Sequence, residues 1–589
     1  MATNESIIPS PATPDVCTYT ILVDGMEIPG EFHILAISVT KEVNRVPAAV
    51  IQLLDGEAAK STFKASDSDF FIPGRKIEIQ LGYCSQNEPV FKGIVVKNSI
   101  KIRKNGSSLT VECRDKAVKM TVSAKNRYFI DKKDSDILDE IIGSYRLQKD
   151  VETTLPALKE VTQYDSTDWD FLLCRAEANG QVVLVNDGKV TVARPSLKDE
   201  PAVNVRYGAT VLELDAEIDA RLQSRGIEAS SWDPAGQELV QVDANEPATP
   251  RSGNLSPADL ADVLDADTHT VRHGGKLSGP ELQAWADGML MRERLSRVRG
   301  RVRFQGFGGV LPGRIIEVVG IGERFQGKLY VSGVRHTLAN GSWETDVQFG
   351  LSTELFANSH NLRPLPAAGL LPGVSGLQIG IVTALENDSE GQDRIKVRLP
   401  VISDTAEGIW SRIATLDAGN ERGTFFRPDI GDEVVVGFLN DDPRHPVVLG
   451  MCHSGAKPSP EPAKDGNHRK GYVSREKMQF IFDDEKKAVL LETPAGNRLT
   501  LSEDGKGIFI EDQNGNKITL DSSGVKIESC KDLTLKAAKD VKIEGVNMDL
   551  KAQIAFKAAG SASAEVSGAS TSVKGSANTV IQGGIVQIN

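Results

Sequence analysis

Val525-Lys526-Ile527-Glu528 is followed eight residues later by Leu533-Thr534-Leu535-Lys536, and eight further on by Val541-Lys542-Ile543-Glu544. Within each octad two apolar residues stand two apart, so on a strand both face one side and the residue between them faces the other. Ser529-Cys530, Ala537-Ala538 and Gly545-Val546 come next, mostly small, where the chain must turn. The rhythm loosens through Ile554, Phe556, Val566, Val573, Val580 and Ile581, and the sequence ends at Ile585-Val586-Gln587-Ile588-Asn589. Eight residues cannot enclose a core, since a single-chain solenoid needs a coil of ~20 residues or more. Strand edges must nevertheless find partners. Three chains, each giving one eight-residue face, can close a triangular core. The octads therefore predict a homotrimeric needle with Val525, Ile527, Leu533, Leu535, Val541 and Ile543 inward. A regular Val/Ile alternation also argues against a solvated low-complexity tail. If residues 515–589 wind in this way, nine octads at the ~4.8 Å strand spacing give a shaft on the order of 45 Å.

Upstream of the octads the helical pattern is already absent from Lys477 onward, and after Phe509 only Phe556 is aromatic. Residues 454–472, with Pro458, Pro460 and Pro462, read as a linker. Before it, five candidate strands between 376 and 453 suit an OB-fold barrel. A second proline-bearing linker covers 356–375. Residues 201–355 read as a β-rich unit with a polar excursion at 230–256 and one helix near 281–295. Residues 16–200 begin with short strands and turn signals, among them Asn105-Gly106, a favoured hairpin turn. Two helices follow, with Ser135 and Ser166 as expected caps, Asp168 and Asp170 in the first turn of the second, and Gly180 beyond its end. Residues 1–15 are polar, with three prolines, and read as a disordered tail.

The chain has 589 residues, 25% charged and 40% hydrophobic, ordinary globular values, with 5% aromatics and 54 glycines that suit a β-rich, turn-rich fold. A formal net charge of -13 argues against nucleic acid or an anionic membrane surface as the main partner. The six cysteines form no metal-type or redox pair and read as reduced core thiols of a chain folded in the cytoplasm. No signal peptide and no span of ~20 apolar residues is visible. Export would need a carrier other than a signal peptide.

Three motifs resemble the VgrG family, the spikes of type VI secretion systems, and related spikes of phage-tail-like contractile injection systems. The first is Tyr164-Asp165-Ser166-Thr167-Asp168-Trp169-Asp170-Phe171-Leu172-Leu173 with Ala176-Glu177-Ala178-Asn179-Gly180. The second is Arg427-Pro428-Asp429-Ile430-Gly431-Asp432-Glu433 through Leu439, continuing from Asp441 to Gly450. The third is the run from Met478 to Leu501 that leads into the octads. The resemblance implies a mainly β chain: phage-hub-like β-barrel domains with a few helices, an OB-fold barrel, and a C-terminal intertwined triple-stranded β-helix. It further implies a trimer seated on an Hcp-like tube and surrounded by baseplate subunits. A PAAR-like tip protein would dock at the C-terminal end on Ile585, Val586, Ile588 and Asn589. Effectors would be carried non-covalently, and the target membrane would be met only by transient puncture. A lysozyme domain separates the OB domain from the needle in one contractile-phage relative, and about 20 residues of linker here leave no room for one. The chain stops within the β pattern, so no fused effector is expected.

No enzyme, metal or cofactor is expected. His269 and His273 would need a helix to converge on a metal, and Thr270 stands where a metalloprotease has its Glu. His445, His453 and His468 lie in or near a linker. Gly306-Phe307-Gly308-Gly309 lacks P-loop and Rossmann spacing. No Gly-x-Ser-x-Gly elbow occurs, and Asp441-Asp442 before Pro443 fits a turn. Two rival functions stay open at this stage: a cell-wall-degrading hub enzyme and a trimeric receptor-binding tail fibre.

Overall fold

The computed structural model describes residues 16–360, 362 and 364–588. The expected tail at 1–15 and the docking residue Asn589 lie outside the described residues. The chain divides into two compact units, one of residues up to 377 with 437–447, the other of 378–436 with the remainder.

The first unit is built on a single thirteen-stranded sheet. Its N-terminal half runs in the order His33–Glu42, Ala48–Leu54, Gly106–Arg114, Gln86–Arg103, Lys76–Tyr83, Cys17–Val23, Met26–Glu27. The other half brings in Gly327–Ala339, Ser342–Phe349, Arg299–Gln305 and Val211–Glu217, with Ile315–Val319 and Asn204–Arg206 branching from it. The halves meet where Gly333–Ala339 pairs antiparallel with Ala36–Glu42. Burial alternates along these strands as period-two patterning dictates: Ile37 and Val39, Ile51 and Leu53, Ile77, Ile79 and Leu81 point into one core. Val302, Phe304, Ile316, Val318 and Val347 point into another. The hairpin turn after Gln86–Arg103 falls on Lys104-Asn105, one residue earlier than expected, with Gly106 opening the return strand at φ +143.

The first two helices have as caps Lys133, two residues before the expected Ser135, and Thr167, one residue after the expected Ser166. The first, Asp134–Ser144, begins before Ser135, because Asp134 is drawn into a buried ion pair with Arg175 at 2.7 Å. The second, Asp168–Ala178, is capped by Thr167, whose Oγ1 accepts from Asp170 N at 3.1 Å, and not by Ser166. Leu172, Leu173 and Ala176 are fully buried. Gly180 ends this helix at φ +67, and a Cβ there would stand 2.8 Å from Cα of Gly288, so two physical requirements select glycine. Gly288 belongs to the third long helix, Gly279–Ser296, which carries a capping box between Ser278 and Glu281.

The expected polar excursion is a folded subunit of its own. Gly226–Asp233 pairs with Glu238–Asp243 and, in parallel, with Thr268–His273, and Leu282 and Ala286 of the long helix cover it. His269 and His273 therefore lie on a strand, about 13 Å apart along it, and are not brought together. Their ring Nδ1 atoms stand 3.5 Å from Glu293 Oε1 and 3.0 Å from the Gly275 carbonyl, respectively. Only Cys17 and Cys113 take the expected fully buried places. Cys84, Cys452 and Cys530 are exposed, because they sit at a hairpin turn (Cys84, φ +52) or on elements without a second packed layer.

In the second unit Gln378–Ala384, Ile395–Arg398, Ile409–Ile413, Pro446–Met451 and Glu433–Phe438 close a five-stranded barrel. Its interior holds Val382, Ile395, Val397, Val434, Val436 and Val448, all at most 1% exposed. A seven-stranded antiparallel meander follows: Arg469–Val473, Gln479–Asp483, Ala488–Glu492, Arg498–Ser502, Gly507–Glu511, Lys517–Asp521 and Gly524–Glu528. It starts inside the stretch expected as linker, since Arg469–Val473 finds a strand partner in Gln479–Asp483. Among the described residues none after Glu528 lies in a hydrogen-bonded strand. No helix of the described residues is long and apolar enough to cross a membrane.

Candidate functional site

Every strand of the meander is five residues long and pairs without a register shift. Second and fourth residues therefore stack across the sheet in two columns. One column runs Phe480, Leu491, Leu499, Ile510, Ile518, Ile527. The other runs Phe482, Val489, Leu501, Ile508, Leu520, Val525. All twelve side chains are apolar and lie on one face, because directly opposed residues of an antiparallel pair share a face. The opposite face carries Gln479, Thr500, Thr519, Lys526 and flanking charges, with Ile481, which is buried, Leu490 and Phe509 among them.

Turn chemistry holds these columns in phase. Ser474–Met478, Thr493–Asn497 and Asp512–Asn516 are five-residue turns spaced nineteen residues apart, and each has the same two backbone bonds. The first residue's N–H bonds the fifth residue's carbonyl, and the fourth residue's N–H returns to the first residue's carbonyl. The fourth residue has positive φ in all three: Lys477 at +64, Gly496 at +94, Gly515 at +91. The first residue supplies a side-chain oxygen each time. Ser474 Oγ accepts from Met478 N at 3.0 Å, Thr493 Oγ1 from Asn497 Nδ2 at 3.0 Å, and Asp512 Oδ1 from Asn516 N at 2.8 Å. Asn497 and Asn516 then reach the next turn on their side, accepting from Gln513 N at 3.2 Å and Cys530 N at 2.9 Å. Sequence reading passed over this nineteen-residue repeat. Its signal is Gly-Asn-x-x-Thr-Leu at 496–501 and again at 515–520.

The expected inward residues follow directly from the columns. Val525 and Ile527 are their last rungs, and Leu533, Leu535, Val541 and Ile543 continue the two-apart spacing past the last strand. In the single chain these six are between 53% and 69% exposed. Ile585, Val586 and Ile588 are exposed as well. A single-layer sheet with a fully apolar face, extended by chain whose backbone groups have no ladder partner, is an unfinished structure. Full burial of each column residue stabilises by about 1.5–3 kcal/mol.

The other two motifs are structural fasteners. In the hub motif, Asp168 is fully buried and receives Lys125 Nζ at 2.8 Å, Gln163 Nε2 at 3.0 Å and Tyr145 OH at 2.7 Å, with Arg127 also bound. Burial alone would raise its pKa, and the bonds from Lys125, Gln163 and Tyr145 outweigh it and hold the carboxyl below the usual value. Glu177 receives Asn44 Nδ2 at 3.0 Å and the Phe356 amide at 2.8 Å and pairs with Arg292, so one carboxylate ties three distant segments. In the OB motif Gly431 turns at φ +87, Asp432 Oδ2 accepts from Asp429 N at 2.9 Å, and Lys457 Nζ bonds both the Gly431 carbonyl and Asp432 Oδ1 at 2.7 Å. Asp442 accepts from Arg444, which holds its carboxyl at about 2 in a turn.

Residues 13–340, more than half of the chain, match the model of the Alg8 N-terminal domain. Residues 378–453 match the type VI secretion system/phage-baseplate injector OB domain, and residues 488–589 the phage baseplate V C-terminal trimerisation domain. Over 198 residues, 31% of this chain and 26% of the relative, the sequence is 27% identical to the type VI secretion system spike protein VgrG1b of Pseudomonas aeruginosa. The chain belongs to the Alg8 N-terminal domain family over residues 13–340, carries the injector OB and baseplate trimerisation domains after it, and is similar to VgrG spike proteins. It is also 30% identical over 96 residues to the spike protein VgrG3 of Vibrio cholerae, 15% of this chain and 9% of that one. The alignments thus span about a quarter or less of the length of these two spike proteins. Among solved structures, the 43 kDa tail protein of prophage MuSo2 from Shewanella oneidensis is similar at 13% identity and a TM-score of 0.43, covering 57% of this chain and 99% of that one. The trimerisation match includes every expected inward residue and the expected docking residues.

Proposed function

We propose that three copies of the chain form the spike and hub of a contractile injection apparatus of the type VI secretion kind. The spike caps the inner tube, punctures a target envelope and delivers effectors. The observation that carries this reading is the pair of apolar columns, which run through the last six strands of the meander and whose two-apart spacing continues as Leu533, Leu535, Val541 and Ile543 where the chain has no strand partner of its own. Two further copies supply both missing items, an apolar layer over the columns and strand partners for 529–588. The work is mechanical and not catalytic. A shaft whose edges are all paired has none to peel under axial load, and its outward Lys, Glu and Thr residues keep it soluble.

In this reading an Hcp-like ring meets the hub, and baseplate subunits surround it. A PAAR-like protein closes the end at Ile585, Val586, Ile588 and Asn589, and effectors ride non-covalently. Assembly takes place in the cytoplasm, and the spike leaves with the machine and needs no signal peptide. Sedimentation equilibrium of the full chain tests the core of the proposal. A trimer gives about 190 kDa, three times 63.5 kDa. A mass of 63.5 kDa at micromolar concentration would refute it. The rival enzyme reading predicts clearing of purified peptidoglycan, which the spike reading does not.

A further inference from the structure

In the first strand of the meander Lys470 ends one apolar column opposite Phe482, and the other column continues. Tyr472 stands opposite Phe480 in the register and shares the face of the columns. Its ring lies 4.9 Å from that of Phe426, a residue of the OB domain, and Phe480 lies 4.9 Å from Phe482. One column thus continues upward as Phe480, Tyr472, Phe426. The segment is fixed in place, with Arg475 Nη1 at 3.5 Å from Asp429 Oδ1 and Lys457 on Asp432. Beside it a hairpin, Ala418–Gly419 with Arg422–Gly423, is tied at its base by Thr415 Oγ1 donating to the Thr424 carbonyl at 2.9 Å. Next to that tie stand Leu416, 93% exposed, and Phe425, 80% exposed, with Phe426 at 57%. Large apolar side chains held in water by a fastened loop mark a contact surface.

We infer that the contact between copies begins in the OB domain: the Phe425–Phe426 edge and Leu416 of one copy pack against a second copy of the chain. There Phe426, Tyr472, Phe480 and Phe482 form an aromatic collar above the aliphatic columns. The inference rests on the trimeric reading above. A second copy is the occupant because the patch is continuous with the column face, and that face is the one only other copies can cover. Side-chain size supports the same geometry. Rings fill the OB end, Leu and Ile fill the middle of the columns, and beyond Phe556 the sequence is dominated by Ala, Ser, Gly and Val, as a shaft that narrows away from the barrel requires.

The test is photo-crosslinking of the full chain with Phe425→p-benzoylphenylalanine, in material shown by sedimentation to be trimeric. The expected product is a covalent band at twice the chain mass, with the attachment mapped to the OB domain or the first meander strands of another copy. A trimer from which position 425 gives no attachment between chains would overturn the collar and leave the trimer standing. A wild-type monomer would overturn both. Phe425→Ser with Phe426→Ser measures the strength of the contact: the variant stays trimeric through its needle, and its trimer dissociates at lower urea concentration than the wild type.

Discussion

The meander at 469–528 and the tail at 529–588 carry the same two-apart apolar spacing, yet one forms strands within a single chain and the other does not. What separates them is where the backbone hydrogen bonds go. In the meander, five-residue strands alternate with turns of four or five residues, enough to reverse direction and pair with the preceding strand. The last internal turn shortens to Ser522-Ser523, and thereafter the rungs recur every eight residues with two or so small residues at each bend. A two-residue turn still lets Gly524–Glu528 pair with Lys517–Asp521, whereas no strand after Glu528 pairs within the chain among the described residues, and in the trimeric reading the hydrogen bonds of the tail go to neighbouring chains. The lesson is that one side-chain pattern can accompany two kinds of pairing, so the pattern by itself does not choose between them.

The strongest way to break this comparison is a charge in the tail. Leu535→Asp places three carboxylates around one axis in a dry core, where like charges repel and none finds a partner. The variant should sediment at 63.5 kDa. The next largest effect separates the two regions outright. A chain ending at Glu528 should keep the strand signal of its meander in circular dichroism, because each of those strands pairs within its own chain, while its trimer dissociates on dilution. If that truncated chain loses the meander as well, the two regions are not independent in the way described.

Turn chemistry gives smaller effects confined to the meander. Gly496→Ala and Gly515→Ala put a Cβ at φ +94 and +91, each costing about 1 kcal/mol or somewhat more. Lys477→Gly relieves a side chain at φ +64 in the equivalent turn and should stabilise by up to about 1 kcal/mol. Urea melts monitored on the meander would read all three. The smallest effect is acid dependence. Bonds from Asn516 and Asn514 hold the Asp512 carboxyl at about 2, below its ordinary 3.8. A lowered folded pKa means this support is complete above the ordinary value and is lost as pH falls through about 2. Thermal melts between pH 5 and 2 should show a steeper acid loss for the wild type than for Asp512→Asn.

Much of this was legible in the sequence, and the reasons differ by region. The OB strands and the helix around Leu172 were readable because period and composition act locally. The cap of the first helix was displaced by two residues, to Lys133, where Asp134 answers to Arg175, 41 positions away. The single sheet joining both halves of the hub depends on Gly333–Ala339 meeting Ala36–Glu42, a pairing across some three hundred residues that no local pattern announces. The nineteen-residue repeat stayed hidden because one turn position is filled by Lys477, Gly496 and Gly515 in turn, residues that share a backbone conformation and little else. The expected inward residues were proposed from spacing alone; two of them, Val525 and Ile527, stand at the end of columns that begin at Phe480 and Phe482.

Hydrogen exchange of the native full chain, read by mass spectrometry over peptides from 469–528 and from 529–588, addresses the central claim most directly. Strands lent by sister copies predict that amides of 529–588 exchange as slowly as those of the meander, over hours. Complete exchange of 529–588 within seconds, beside a protected meander, would contradict it.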